Sequence, residues 1–128
     1  MTILLIEDDE SIGSLLRLVL SRQGYTTLLV RSVAEARNVW SAYHAIVNLV
    51  ITDNSLPDGS GLSLAIEFRT ENPALAVILI SGTEVSQLPF GFVQLNKPFE
   101  LLELTRAVNR AIGQPAPNPP PIPDHPSL

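Results

Sequence analysis

Apolar positions along the chain group into two alternating kinds of segment. Residues 3–6 form an unbroken apolar run that ends in acids, and residues 46–52 and 76–80 repeat the pattern of an apolar run followed by polar residues. Runs of this length predict buried strands. Residues 25–30 and 92–95 are rich enough in β-formers to predict two more.

Between these runs the period changes to that of a helix. Ile12, Leu15, Leu16 and Val19 keep i, i+3, i+4, i+7 spacing, and that stretch stops at Gly24. Ser32 and Glu35 have capping-box spacing, after which Ala36, Val39, Trp40 and Tyr43 can share a helical face. Residues 61–72 place Leu62, Ile66 and Arg69 on helical spacing before Pro73. Residues 98–112 do the same with Leu101, Leu104, Val108 and Ile112 before Gly113. Regular alternation of strand and helix predicts an α/β fold: a parallel sheet with helices on both faces. Residues 83–91 break the rhythm, since they hold Pro89 and too few periodic apolar positions for an ordinary helix. The fourth helix is therefore expected to be short or missing.

Composition bounds the picture. A chain of 128 residues with 45% hydrophobic content has room for one packed domain, expected over residues 1–113. Residues 114–128 hold seven of the eleven prolines and almost nothing to bury, so a proline-rich, disordered tail is expected there. A polyproline ligand for a partner's aromatic groove is the other reading of that tail. The absence of cysteine excludes disulfides, thiolate metal sites and thiol nucleophiles, which suits a reducing compartment. The first nine residues lack the basic start of a signal peptide, and no apolar run reaches membrane-spanning length, so a cytoplasmic protein with no membrane contact is expected. A net charge of −5 with eight scattered basic residues offers no footprint for direct nucleic-acid binding.

Candidate chemistry sits where the strands end. In an open parallel sheet, ligands bind beyond the carboxyl ends of the strands. Those positions hold Glu7, Asp8 and Asp9 after the first strand, Asp53 after the third, Ser81 after the fourth, and Lys97 just past the fifth. If the first and third strands are neighbours, several carboxylates meet within a few ångströms, and like charges at that range raise pKa values or require a cation. Oxygen-only donors suit a hard ion such as Mg²⁺, whereas zinc would want His or Cys. Lys97 is the only lysine against seven arginines, and a compact ammonium can pair first with an acid and then with a phosphoryl oxygen. Ser81, followed by Gly82, offers a hydroxyl to the same oxygen. Taken singly, each of these also reads as a helix cap, a turn residue or plain surface. Their joint occurrence in this order carries the inference. His44 and His125 have no partner at catalytic or ligand spacing and are expected on the surface.

Four motifs resemble the receiver domain of two-component response regulators: Leu4-Leu5-Ile6-Glu7-Asp8-Asp9-Glu10, Thr52-Asp53-Asn54-Ser55-Leu56-Pro57-Asp58-Gly59-Ser60-Gly61, Ile80-Ser81-Gly82 and Lys97-Pro98-Phe99. The resemblance covers residues 2 to about 112, and it implies a flavodoxin-like, doubly wound five-stranded sheet of order 2-1-3-4-5. Carried over by position, it makes Asp53 the phosphoacceptor, Asp8 a direct Mg²⁺ ligand, Glu7 an acid acting on the metal through water, and the Ser55 carbonyl a further ligand. Ser81 and Lys97 would hold the phosphoryl oxygens. It implies a phosphoacceptor that assists its own phosphorylation and dephosphorylation, not an enzyme with a separate substrate. The donor would be a sensor histidine kinase or a histidine phosphotransfer protein, the output a further protein, with self-association left open. The Lys97–Pro98 bond is commonly cis in the family.

Two features depart from the family pattern. Most receivers carry Tyr or Phe three residues before the lysine, where this chain has Gln94. Phe92 is nearby but reads as a core strand residue. Together with the short or missing fourth helix, this departure concerns output and leaves the phosphorylation chemistry intact. Three rivals remain: a metal-dependent aspartyl phosphohydrolase, whose usual second acid is replaced by Ser55; a degenerate receiver acting only as a docking module; and a nucleotide-binding domain, which would need a glycine-rich turn where three acids stand.

Overall fold

A computed structural model describes residues 1–113. Its elements, in chain order, are β1 (Thr2–Ile6), α1 (Glu10–Arg22), β2 (Thr26–Val30), α2 (Val33–Tyr43), a 3₁₀ turn (His44–Ile46), β3 (Val47–Asp53), β4 (Ser55–Leu56), β5 (Gly59–Ser60), α3 (Gly61–Glu71), β6 (Ala76–Ser81), β7 (Phe92–Asn96) and α4 (Leu101–Ile112). Five strands form one parallel sheet in the order β2-β1-β3-β6-β7. Counting only its own strands, this is the expected 2-1-3-4-5 order. The two-residue strands β4 and β5 form a separate antiparallel ribbon directly after β3.

Both faces of the sheet are covered, which explains why its strands read as continuous apolar runs. Ile3, Leu5, Leu49, Ile51, Ile78, Ile80, Val93 and Leu95 pack on one face with Leu16 and Leu20 of α1 and Leu104, Ala107, Val108 and Ala111 of α4. The residues between them, Leu4, Ile6, Val50 and Val77, pack on the other face with Val33, Ala36 and Trp40 of α2 and Leu64, Ala65 and Phe68 of α3. Trp40 stacks on Phe68 at 4.3 Å and gives its indole N–H to Glu71 at 2.9 Å, so its one polar atom is satisfied.

Helix faces differ in detail from the sequence reading. α3 buries Gly61, Leu64, Ala65 and Phe68, while Ile66 is exposed, because the true stripe is offset from the one through Leu62 and Ile66. Leu15, Leu101 and Ile112 also face outward. Ile46 belongs to the 3₁₀ turn and is exposed, so β3 starts one residue later and runs on to include Asp53. Residues 82–91 contain no helix, which settles the short-or-missing alternative as missing. Side chains pin that connection instead: Arg69 donates to the Phe90 carbonyl at 2.6 Å, and Gln94 bonds both Thr83 and Val85. Gly91 closes it at φ 86°, a region where glycine carries no steric penalty. The expected proline-rich tail lies outside the described residues.

Candidate functional site

The acids converge because β1 and β3 are adjacent and in register. Ile6 pairs with Thr52, so the next residue of each strand brings Glu7 beside Asp53. Both are buried, at 2% and 7% exposure, whereas Asp8 is exposed. One oxygen from each of Glu7, Asp8 and Asp53 lies within 4.8 Å of the others. Asp9, the third acid of the run, is spent locally as the N-cap of α1, accepting the Ile12 N–H at 3.0 Å.

Lys97 reaches this cluster from the far side of the sheet. Its N–H bonds the Ser81 carbonyl at 2.9 Å, one step beyond the Ser81–Asn96 pair, and the Lys97–Pro98 peptide is cis. The ammonium sits 2.8 Å from Asp53 Oδ2 and 3.9 Å from Glu7 Oε1. Burial raises the Glu7 pKa from the usual 4.5 to about 7, reinforced by Asp53, which accepts from its protonated form and repels its charge. Burial pulls Lys97 the other way, but the Asp53 hydrogen bond and charge, with Glu7 and Asp8 behind it, outweigh that and raise its pKa. Glu7 Oε1 is buried without a hydrogen-bond partner. Three carboxylates, one of them with an orphaned oxygen, form a donor set that fits a hard cation.

The remaining predicted residues lie around this cluster. Ser55 opens β4, two residues past Asp53, and pairs with Ser60 across the ribbon. Ser81 ends β6 and is buried, but its hydroxyl is turned to its own loop, donating to the Thr83 carbonyl at 2.7 Å and accepting the Thr83 N–H at 3.2 Å. Gly61 is needed where α3 meets the strand, because a Cβ there would stand 1.9 Å from the Asp53 carbonyl oxygen. The sequence reading missed Asp58. From the turn of the ribbon, its carboxylate accepts the Val33 and Ala34 N–H groups at 2.8 and 3.0 Å, capping α2 across 25 and 24 residues of chain. Those two bonds lower its pKa. The helix start itself was legible in Ser32, but no local spacing signals a cap donated from so far away.

The sequence profile described as "Response regulator receiver domain" matches residues 3–109. The chain belongs to that family. This receiver is 35% identical over 122 residues to the swarming motility regulation protein RssB of Serratia marcescens, covering 88% of the chain and 55% of RssB. It is 34% identical over 123 residues to the DNA-binding transcriptional regulator NtrC of Azospirillum brasilense, covering 91% of the chain and 25% of NtrC. The chain thus spans about half or less of the curated relatives it matches. Among solved structures, the non-phosphorylated HemR receiver domain of Leptospira biflexa superposes with a TM-score of 0.80 at 28% identity, covering 91% of this chain and 98% of that one. A response regulator receiver protein from Sinorhizobium medicae gives 0.81 at 25% identity, covering 88% and 94%. Membership places the receiver in two-component phosphorelay signalling, whose receiver domains are generally phosphoacceptors and not enzymes. No helix among the described residues is long and apolar enough to cross a membrane. Beside the acidic cluster, an open cleft of about 410 Å³ runs along Ile12, Leu15, Leu16, Pro98, Phe99 and Leu101, and Lys97 lines it too.

Proposed function

We propose that this receiver takes a phosphoryl group onto Asp53 from a histidine phosphodonor, either a sensor kinase or a phosphotransfer protein. One observation carries the reading: a buried carboxylate holds a lysine ammonium at 2.8 Å, with two further acids within 4.8 Å. A carboxylate oxygen of Asp53 forms the new P–O bond as the P–N bond of phosphohistidine breaks, and the imidazole leaves with a proton. Lys97 exchanges its contact with Asp53 for one with a phosphoryl oxygen, placing positive charge where the transferred group is most negative. Ser81 donates its hydroxyl proton to another of those oxygens. The residues that would hold a metal are Asp8 and Asp53 directly, Glu7 through water, and the Ser55 carbonyl. Mg²⁺ bound there supplies charge neutralisation for the phosphoryl group. The same residues assist dephosphorylation, in which a water oxygen forms the new P–O bond as the P–O bond to Asp53 breaks, releasing inorganic phosphate and the free carboxylate.

The apolar cleft along α1 gives the donor a surface next to the acceptor, since Lys97 lines both. The test is incubation with Mg²⁺ and acetyl phosphate followed by intact mass measurement. Wild type gains one phosphoryl group and Asp53→Ala gains none. Equal labelling of the variant overturns the assignment of the acceptor, and turnover of the donor with no phosphorylated protein accumulating overturns the reading in favour of a phosphohydrolase.

A further inference from the structure

Gln94 occupies the position at which related receivers usually carry an aromatic residue, and its amide is fully engaged. The side-chain oxygen accepts the Val85 N–H at 3.2 Å, and Nε2 donates to the Thr83 carbonyl at 3.1 Å and to Asn96 Oδ1 at 2.8 Å. The Thr83 carbonyl therefore receives two donors, because the Ser81 hydroxyl points at the same oxygen from 2.7 Å. A hydroxyl has one proton to give. While Ser81 spends it on Thr83, it has none for a phosphoryl oxygen, and to serve the phosphoryl group it must turn away from its loop.

That turn costs what Ser81 leaves behind, the Thr83 N–H it accepts from and the Thr83 carbonyl it donates to, and Gln94 bears on the second. A carbonyl with no remaining donor, in a partly buried loop, loses enough to shift an equilibrium roughly ten-fold. Here the carbonyl keeps Gln94. No helix orders residues 82–91, so no intrahelical N–H stands ready to replace the lost bond. We propose that Gln94 is a positioning residue for phosphoryl binding: by holding the Thr83 carbonyl independently, it frees the Ser81 hydroxyl for the phosphoryl oxygen. The residue acts through Ser81 and does not touch the reacting atoms. This inference rests on the reading of Ser81 given under the proposed function, and the experiment separates the two.

The test is a double-mutant cycle on the full chain with Mg²⁺ present, using beryllofluoride, which forms a tetrahedral adduct on a carboxylate, as the probe. Affinity is read by titration calorimetry for wild type, Gln94→Met, Ser81→Ala and the double variant. Gln94→Met is close in size and shape to glutamine but cannot donate, so it is expected to weaken beryllofluoride roughly ten-fold. In the Ser81→Ala background the same substitution is expected to change affinity by less than about two-fold, because no hydroxyl remains to be freed. An equal loss in both backgrounds makes Gln94 a structural brace only and overturns the inference, as does an unchanged affinity in Gln94→Met. If Ser81→Ala alone binds as tightly as wild type, the role of Ser81 fails first and takes the inference with it. Near-UV circular dichroism and Mg²⁺ titration without beryllofluoride check that each variant is folded, and a variant losing both signals is replaced by Gln94→Leu, which likewise cannot donate and adds no charge.

Discussion

Replacing Glu7 by Gln removes a charge that the fold holds in an unfavourable place, and the size of the effect follows from the geometry. Glu7 is 2% exposed, and burial followed by the neighbouring Asp53 carries its pKa from 4.5 to about 7. Between those two values the native state binds more protons than the unfolded chain, so stability falls as pH rises through that window and is level above it. At about 1.4 kcal/mol per unit, the loss attributable to Glu7 is on the order of 3 kcal/mol in the absence of a divalent ion. This is a ceiling, because Asp53 shares the strain of the paired charges. Lys97 acts in the same sense in a higher range: its raised pKa stabilises the fold below the unfolded lysine value, and that contribution disappears only as pH climbs through the higher folded value. Urea unfolding of wild type and Glu7→Gln at about pH 5 and about pH 8, in EDTA and in excess Mg²⁺, reads the effect of Glu7 and its coupling to Asp53 and Lys97, because groups remote from the cluster cancel. The two proteins should be nearly equal at the lower pH. At the higher pH in EDTA the variant should be more stable by up to roughly 3 kcal/mol, and Mg²⁺ should narrow the gap by stabilising wild type more than the variant. A gap independent of pH, or one that Mg²⁺ leaves untouched, would refute the reasoning.

Gly61→Ala should destabilise the fold by roughly 3 kcal/mol or more, since its Cβ would overlap the Asp53 carbonyl at 1.9 Å and Thr52 Oγ1 at 2.6 Å. Labelling by acetyl phosphate should fall with it, because the group forced to move carries the acceptor. Leu15→Glu, on the exposed rim of the apolar cleft, should slow transfer from a phosphorylated protein donor at least ten-fold while leaving labelling by acetyl phosphate unchanged. Asp58→Asn should lower the thermal midpoint near neutral pH. Because its pKa is lowered by the two α2 N–H groups, the wild-type advantage is present above the usual carboxylate value and should vanish as pH falls through the lowered one.

Strand positions and the acidic cluster were legible because they depend on short-range patterns, whereas the sheet order came from the family resemblance. A run such as Ile3 to Ile6 reports burial on both faces, and the residue after each run lands in the crevice whatever the loops do. The buried faces of helices were less legible. In α3 the true stripe is built from Gly61, Ala65 and two large residues, and small side chains carry little hydrophobic signal, so Leu62 and Ile66 drew the eye to the wrong side. Long-range polar bonds were not legible at all. Nothing in the spacing of Asp58 and Val33, or of Gln94 and Thr83, marks them as partners, because each pair is brought together by the packed sheet and not by the local chain. The departure at Gln94 was visible as an anomaly, while its bonding required the folded loop.

The helix-free crossover between β6 and β7 has a consequence for how the molecule breathes. Amides in a helix are shielded from solvent hydrogen exchange by their own ladder, which opens cooperatively with the whole element. In residues 82–91 the Thr83 and Val85 amides are held by side chains, those of Ser81 and Gln94. Exchange at those amides should therefore report the state of one hydroxyl and one carboxamide, residue by residue, against a sheet that exchanges only on global unfolding. The connection thus reads out its own anchors, a property that a helix in the same place would average away.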